Sequence, residues 1–214
     1  MTVKQNKPRR TYGGVAPEER DAQRREALVA AGIAAFGERG YAVATIESLC
    51  AQASVSTRDF YHYFASKEQL LLAVYDQIID RTIRNVGAAV GSALVEGAES
   101  TTVIRAGISA FATSMVDDER WARINFIEIV GVSGDVEARR REVIADFGRF
   151  VAGISETLVE RGDFDRGALT PVHSVAMVGA IHETLTDWLL QSERAPLDQT
   201  IDALVEIFAA VLRR

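Results

Sequence analysis

Residues 45 to 71 read TIESLCAQASVSTRDFYHYFASKEQLL, and two capping patterns inside that stretch decide the fold. Ser56 stands three residues before Asp59, and Ser66 three before Gln69. A hydroxyl that accepts the third backbone N–H, answered by a side chain reaching back, marks a helix start. The two starts bracket a helix of only about eight residues. Helices shorter than ~12 residues rarely persist alone in water, because nucleation is costly, so neighbours must hold this one. Val55, Phe60 and Phe64 supply its buried side, while Thr57, Arg58, Asp59, Tyr61, His62 and Tyr63 fall on the flanks and outer face. A preceding helix from about Thr45 to Gln52, burying Ile46 and Leu49, completes a helix-turn-helix.

Upstream, Pro17 with Glu18, Glu19 and Asp21 opens a first helix, since anions suit the positive end of the helix dipole. Leu28, Ala31, Ala35 and Phe36 give it one apolar side, and Gly40, free to turn left-handed, stops it. Downstream, helical periodicity continues with almost no period-2 alternation. A fourth helix, Glu68 to about Val90, carries Leu71, Val74, Ile78, Ile79 and Ile83 on one stripe. Ile104, Ile108, Phe111, Ala112 and Met115 mark a fifth. Glu119 to Val130 reads as one helix with Trp121, Asn125 and Glu128 on a common face. A long helix from about Val136 to Arg161 follows, and its Arg139-Arg140-Arg141 run reads as a solvated face paired to Glu137 and Glu142. Thr170-Pro171 and Pro196 open the last two helices. The expected fold is all-α with about nine helices. A basic arm (1–17) precedes a three-helix helix-turn-helix head (18–67), and a larger helical domain (68–214) follows.

Composition agrees. Of 214 residues, 48% are hydrophobic and 25% charged, ordinary proportions for a chain with a core, which excludes a wholly disordered one. One cysteine forms no internal disulfide, which fits a reducing compartment, and no run approaches the ~20 apolar residues of a membrane span. The expectation is a cytoplasmic protein. The net charge of −6 is uneven, with +3 over residues 1 to 67 and −9 over residues 68 to 214. Lys4, Lys7, Arg9 and Arg10 stand in the first seventeen residues without an acid among them. Such a distribution fits a phosphate-bearing partner at one end, or a solvated tail.

The stretch quoted above closely resembles the DNA-binding segment of TetR-family transcriptional regulators, most tellingly in Val55-Ser56, Phe60-Tyr61, Tyr63-Phe64 and Ser66-Lys67-Glu68. Ala35-Phe36 and Gly40-Tyr41 match the end of the family's first helix, and the resemblance spans roughly residues 22 to 72. It implies a sequence-specific regulator of transcription, a repressor that a small molecule releases from palindromic double-stranded DNA. Thr45 and Lys67 would contact phosphates, Tyr61 would stack beside the backbone, and Thr57 and His62 would approach base edges. Ser56 and Tyr63 would complete the surface, with core packing an equal alternative for Tyr63, and the arm's Lys4, Lys7, Arg9 and Arg10 would reach a neighbouring groove or phosphate track. Two departures stand out. Ser54 occupies a turn position where the family often has glycine, and serine in a left-handed conformation costs on the order of 1 kcal/mol. Arg58 and Asp59 stand where the family tends to have a small residue and a hydroxyl residue: Arg58 would read a guanine edge, and Asp59 would accept from cytosine or, more fittingly beside phosphates, cap the helix.

The resemblance further implies a homodimer through residues 171–213, which would set two recognition helices about one DNA turn (~34 Å) apart. It also implies an unidentified small-molecule effector, with no other cofactor, in a pocket among Phe111, Met115, Trp121, Asn125, Glu128, Phe147, Met177 and His182. Each of these residues also fits plain core packing. No Gly-rich phosphate loop, G-x-S-x-G or H-E-x-x-H occurs, Cys50 reads as a packing thiol, and no group has a metal's ligand count, so neither an enzyme nor a metal protein is expected. The competing expectation is a helical interaction module in which DNA binding is lost or incidental.

Overall fold

The structure, a computed structural model, describes residues 17–163 and 169–212. Among these, every regular element is helical. The arm residues Lys4, Lys7, Arg9 and Arg10 lie outside the described residues.

Helix α1 (Pro17–Glu38) crosses α2 (Ile46–Ala53) and α3 (Thr57–Tyr63). It ends as its sequence requires: the Gly40 N–H donates to the Phe36 carbonyl at 3.1 Å, and Gly40 takes φ +99°, which glycine adopts without strain. Thr45 caps α2, with its hydroxyl accepting the Ser48 N–H at 3.2 Å and Ser48 Oγ accepting the Thr45 N–H at 3.2 Å. That reciprocal pair is a capping box in which Ser48 stands where an acid or amide is usual. Leu28, Phe36, Leu49, Phe60 and Leu70 are fully buried between these helices, while Ile46 and Val55 are half-buried at the margin.

Helix α4 (Lys67–Val95) is longer than its periodicity suggests and runs from the head deep into the body. Its buried stripe passes through Ile78, Thr82 and Val86. Ile83 lies off that stripe and is 39% exposed, because the buried positions follow the 3.6-residue period past it. Antiparallel to α4 lies α5 (Ser100–Val116), followed by the short α6 (Glu119–Arg123). The expected single helix to Val130 does not form: residues Ile124–Glu128 widen into a π turn, and Gly131 at φ +72° ends it. Helix α7 (Gly134–Glu160), capped by Ser133, packs along α8 (Pro171–Leu190), capped by Thr170. The last helix, α9 (Leu197–Leu212), covers α5 and α8.

Candidate DNA-binding surface and ligand cavity

The presentation of α3 follows from its caps and its two buried rings. Ser56 Oγ accepts the Asp59 N–H at 3.0 Å, and Asp59 Oδ2 accepts from Ser56 N at 3.3 Å and from the Ser56 hydroxyl at 2.9 Å. These bonds, the side-chain one foremost, hold the Asp59 carboxyl below its ordinary value, with Arg24 and His62 adding to the effect. Asp59 is therefore engaged as a cap, as its spacing predicts. Phe60 and Phe64 anchor the inner side of α3, 0% and 3% exposed. With that side fixed, Thr57, Arg58, Tyr61 and His62 are exposed together on the other, and Ser56 and Thr45 are exposed beside them.

The turn before α3 carries the expected irregularity. Ser54 takes φ 55° and ψ 40°, a left-handed conformation, and is the one described non-glycine residue with positive φ. Its N–H donates to Ala51 O at 3.3 Å and the Val55 N–H to Cys50 O at 3.0 Å, a Schellman-type ending normally built on glycine. Cys50 beneath it is buried, and that burial raises its thiol's pKa. Such a protonated thiol is inert.

Two residues assigned to the surface hold the head together as well. The Lys67 ammonium donates to the carbonyls of Tyr41 and Ala44, both at 2.8 Å, and sits 4.2 Å from the centre of the Tyr41 ring. It thus closes the α1–α2 loop onto α4. Tyr63 is half-buried, and its hydroxyl donates to Asp21 at 3.0 Å, tying α3 to α1.

A cavity of about 100 Å³ runs through the body between α4, α5, α7, α8 and α9. Its walls are almost wholly apolar, and α7 lines it from Arg140 through Phe147 to Leu158. Five of the eight proposed pocket residues reach it: Phe111, Asn125, Phe147, Met177 and His182. Phe111 and Phe147 meet edge to face across it, with centroids 5.5 Å apart.

The other three do not line it. Met115 is fully buried in the packed core. Trp121 lies under the Arg81 guanidinium, 4.5 Å from ring centre to charge. Glu128 faces the head, where its carboxylate accepts the Tyr41 N–H at 2.7 Å and Arg123 Nε–H at 3.0 Å. For Trp121 and Glu128 the π turn is the reason. It inserts an extra residue into the helix, so positions 121, 125 and 128, which share a face in a regular α-helix, point to α4, to the cavity and to the head respectively.

Several contributors were not legible in the sequence. Gly37 has no room for a Cβ against Arg120, so α1 and α6 touch backbone to side chain there. A Cβ on Gly40 would stand 3.2 Å from the Glu128 carboxylate oxygens. The arginine run is also not uniform. Arg139 pairs with Asp76 at 2.8 Å and Glu142 at 3.1 Å, and Arg141 lies 3.8 Å from Glu137. Arg140 lies 3.4 Å from Glu137 yet turns its side chain, only 21% exposed, into the cavity wall.

Residues 28–74 match the family model described as bacterial regulatory proteins, tetR family. The fatty acid metabolism regulator protein of Bacillus subtilis is 19% identical over 183 residues, covering 86% of this chain and 92% of that protein. The transcriptional activator FasR of Mycolicibacterium smegmatis is 32% identical over 107 residues, 50% of this chain and 47% of its own. Among solved structures, the transcriptional regulator FadR of Bacillus subtilis in complex with stearoyl-CoA superposes with a TM-score of 0.74 at 20% identity, over 85% of this chain and 96% of that one.

Proposed function

We propose that this chain, which belongs to the TetR family of DNA-binding transcriptional regulators, is a repressor that a long-chain acyl compound releases from a palindromic operator. The observation that carries the DNA-binding part is the outward side of α3, where Thr57, Arg58, Tyr61 and His62 stand exposed on a helix fixed from behind by Phe60 and Phe64. Arg58 supplies the bidentate base contact, Tyr61 and Thr45 lie along the backbone, and the basic arm adds phosphate contacts. The head comprises residues 18–67 and the effector and dimerisation body residues 68–214. Homodimerisation through α8 and α9 is part of the reading. It is supported by Val172, Val175, Leu190 and Ile207, apolar residues left 47% to 77% exposed on those two helices. The acyl class is supported by the apolar cavity and by the relatives named for fatty acid metabolism and stearoyl-CoA. Among the described residues no helix is long and apolar enough to cross a membrane, and the relatives matched are transcriptional regulators.

The test is binding of the full chain to fragments from upstream of its own gene, across salt, with and without palmitoyl-CoA. Arg58→Ala is expected to erode preference for the operator over unrelated duplex by about tenfold or more, as loss of one bidentate pair does. Deleting residues 1 to 10 is expected to lower affinity for all duplexes and to flatten the salt slope. Equal affinity of the parent protein for every duplex overturns the reading.

A further inference from the structure

The cavity wall is apolar except at a few points, and three of those carry side-chain atoms shut off from solvent with no hydrogen-bond partner among the described residues: Arg140 Nε, His182 Nε2 and Ser155 Oγ. Leaving a buried donor or acceptor unpaired is unfavourable and is uncommon in folded proteins. Two of the three belong together. Arg140 on α7, His182 on α8 and Asn125 of the π turn all line the cavity, the Arg140 charge and the Asn125 backbone both act on the His182 ring, and that ring meets Phe126 edge-on with centroids 4.9 Å apart. Ser155 lies fifteen residues further along α7, so ~22 Å away at 1.5 Å per residue. Between them stand Val143, Phe147, Val151 and Ile154.

From this arrangement, we propose that Arg140 and His182 form a polar subsite for the acyl oxygens of the effector, with the alkyl chain lying along α7 toward Leu158. The inference rests on the reading of this cavity as the ligand site and deepens it by giving the ligand an orientation. Arg140 Nε has only the 3.4 Å ion pair with Glu137, which does not form a hydrogen bond, and the guanidinium is always charged, so it favours a carboxylate or a polarised carbonyl. Burial, and Arg140 itself, depress the His182 pKa, with Glu183 and the Asn125 backbone opposing, so the ring is neutral at pH 7. A neutral ring can accept a proton shared with a carboxylic acid or donate to an ester oxygen, according to its tautomer. The walls beyond offer no further charge, and residues of α7 line the cavity along the ~27 Å of helix from Arg140 to Leu158. A free long-chain acid and its coenzyme A thioester share this chemistry.

Isothermal titration of the full chain with palmitate, palmitoyl-CoA and hexadecanol separates the possibilities. Arg140→Met is expected to weaken the tighter of the two acyl ligands by about tenfold to a hundredfold and hexadecanol far less, while Arg140→Lys recovers part of the loss. His182→Leu is expected to act in the same direction more weakly. Tighter palmitate binding identifies the free acid, and tighter palmitoyl-CoA binding the thioester. If Arg140→Met, with unfolding temperature unchanged, leaves the ratio of acyl compound to alcohol as it was, the subsite is refuted while the ligand class stands. If the parent protein binds none of the three, the ligand class falls with it.

Discussion

Ser54 shows how one side chain can set the quality of a turn without touching a ligand. At φ 55° its Cβ crowds the backbone, and a glycine there removes the clash at the cost of a more flexible unfolded chain. Ser54→Gly is therefore expected to stabilise the protein by roughly 0.5–1 kcal/mol, read as a rise of a few degrees in unfolding temperature with operator affinity retained. His182 makes a prediction of the opposite kind. Its pKa lies below the ordinary 6.5, chiefly through burial and then through Arg140. As pH falls below 6.5 the unfolded chain takes up a proton that the folded ring resists, so stability declines between there and the lowered folded value. Thermal unfolding at pH 7.5 and 5.5 should show a larger loss for the parent protein than for His182→Gln. Both residues could be singled out from the sequence, Ser54 by its turn position and His182 by its place on an apolar helix. Their surroundings could not, since these are contributed by other elements.

At the level of elements, what was legible was local. Capping of α3, α4 and α8 depends on residues three apart, and the Ser56, Ser66 and Thr170 starts hold in the structure. Even there a detail differs: Gln69 accepts the Ala65 N–H at 3.0 Å, where its spacing points to Ser66. The π turn left no such trace. Residues Ile124–Glu128 keep helical hydrophobicity, so a regular period placed Trp121 and Glu128 in the cavity and Arg140 in a solvated run, and long-range packing placed all three elsewhere. The turn has a consequence for coupling. Asn125 lines the cavity while Glu128, three residues on, accepts the Tyr41 N–H of the head. Glu128→Gln removes the charge from that bond and from the Arg123 pair. Operator affinity without effector should change little, whereas the change brought about by palmitoyl-CoA should shrink by several-fold, within the ~1 to 3 kcal/mol typical of such couplings. Fluorescence anisotropy of labelled operator, with and without the acyl compound, measures both quantities. An undiminished response would show that α4 alone carries the signal.

For the molecule as a whole, the exposed side of α8 is the feature to test. Val172, Val175, Ala176 and Gly179 lie exposed along it at helical spacing, and a Cβ on Gly179 would meet nothing within 4 Å in one chain. A surface of small and branched apolar residues allows two helices to approach closely. Val175→Arg should therefore leave the fold of the chain intact yet shift its mass in analytical ultracentrifugation from dimer to monomer, and operator affinity should fall with it. A chain of parental mass after this change would place the contact elsewhere. The π turn also bears on how such proteins diverge. It carries one residue more than a regular helix would, so a lineage that lost one codon within 124–128 would regain normal pitch but swing either Asn125 or Glu128 by about 100° from its present direction. Gaps in alignments of descendants that keep both directions should therefore fall outside these five positions, and a gap inside them would mark a branch in which effector and operator are linked by another route.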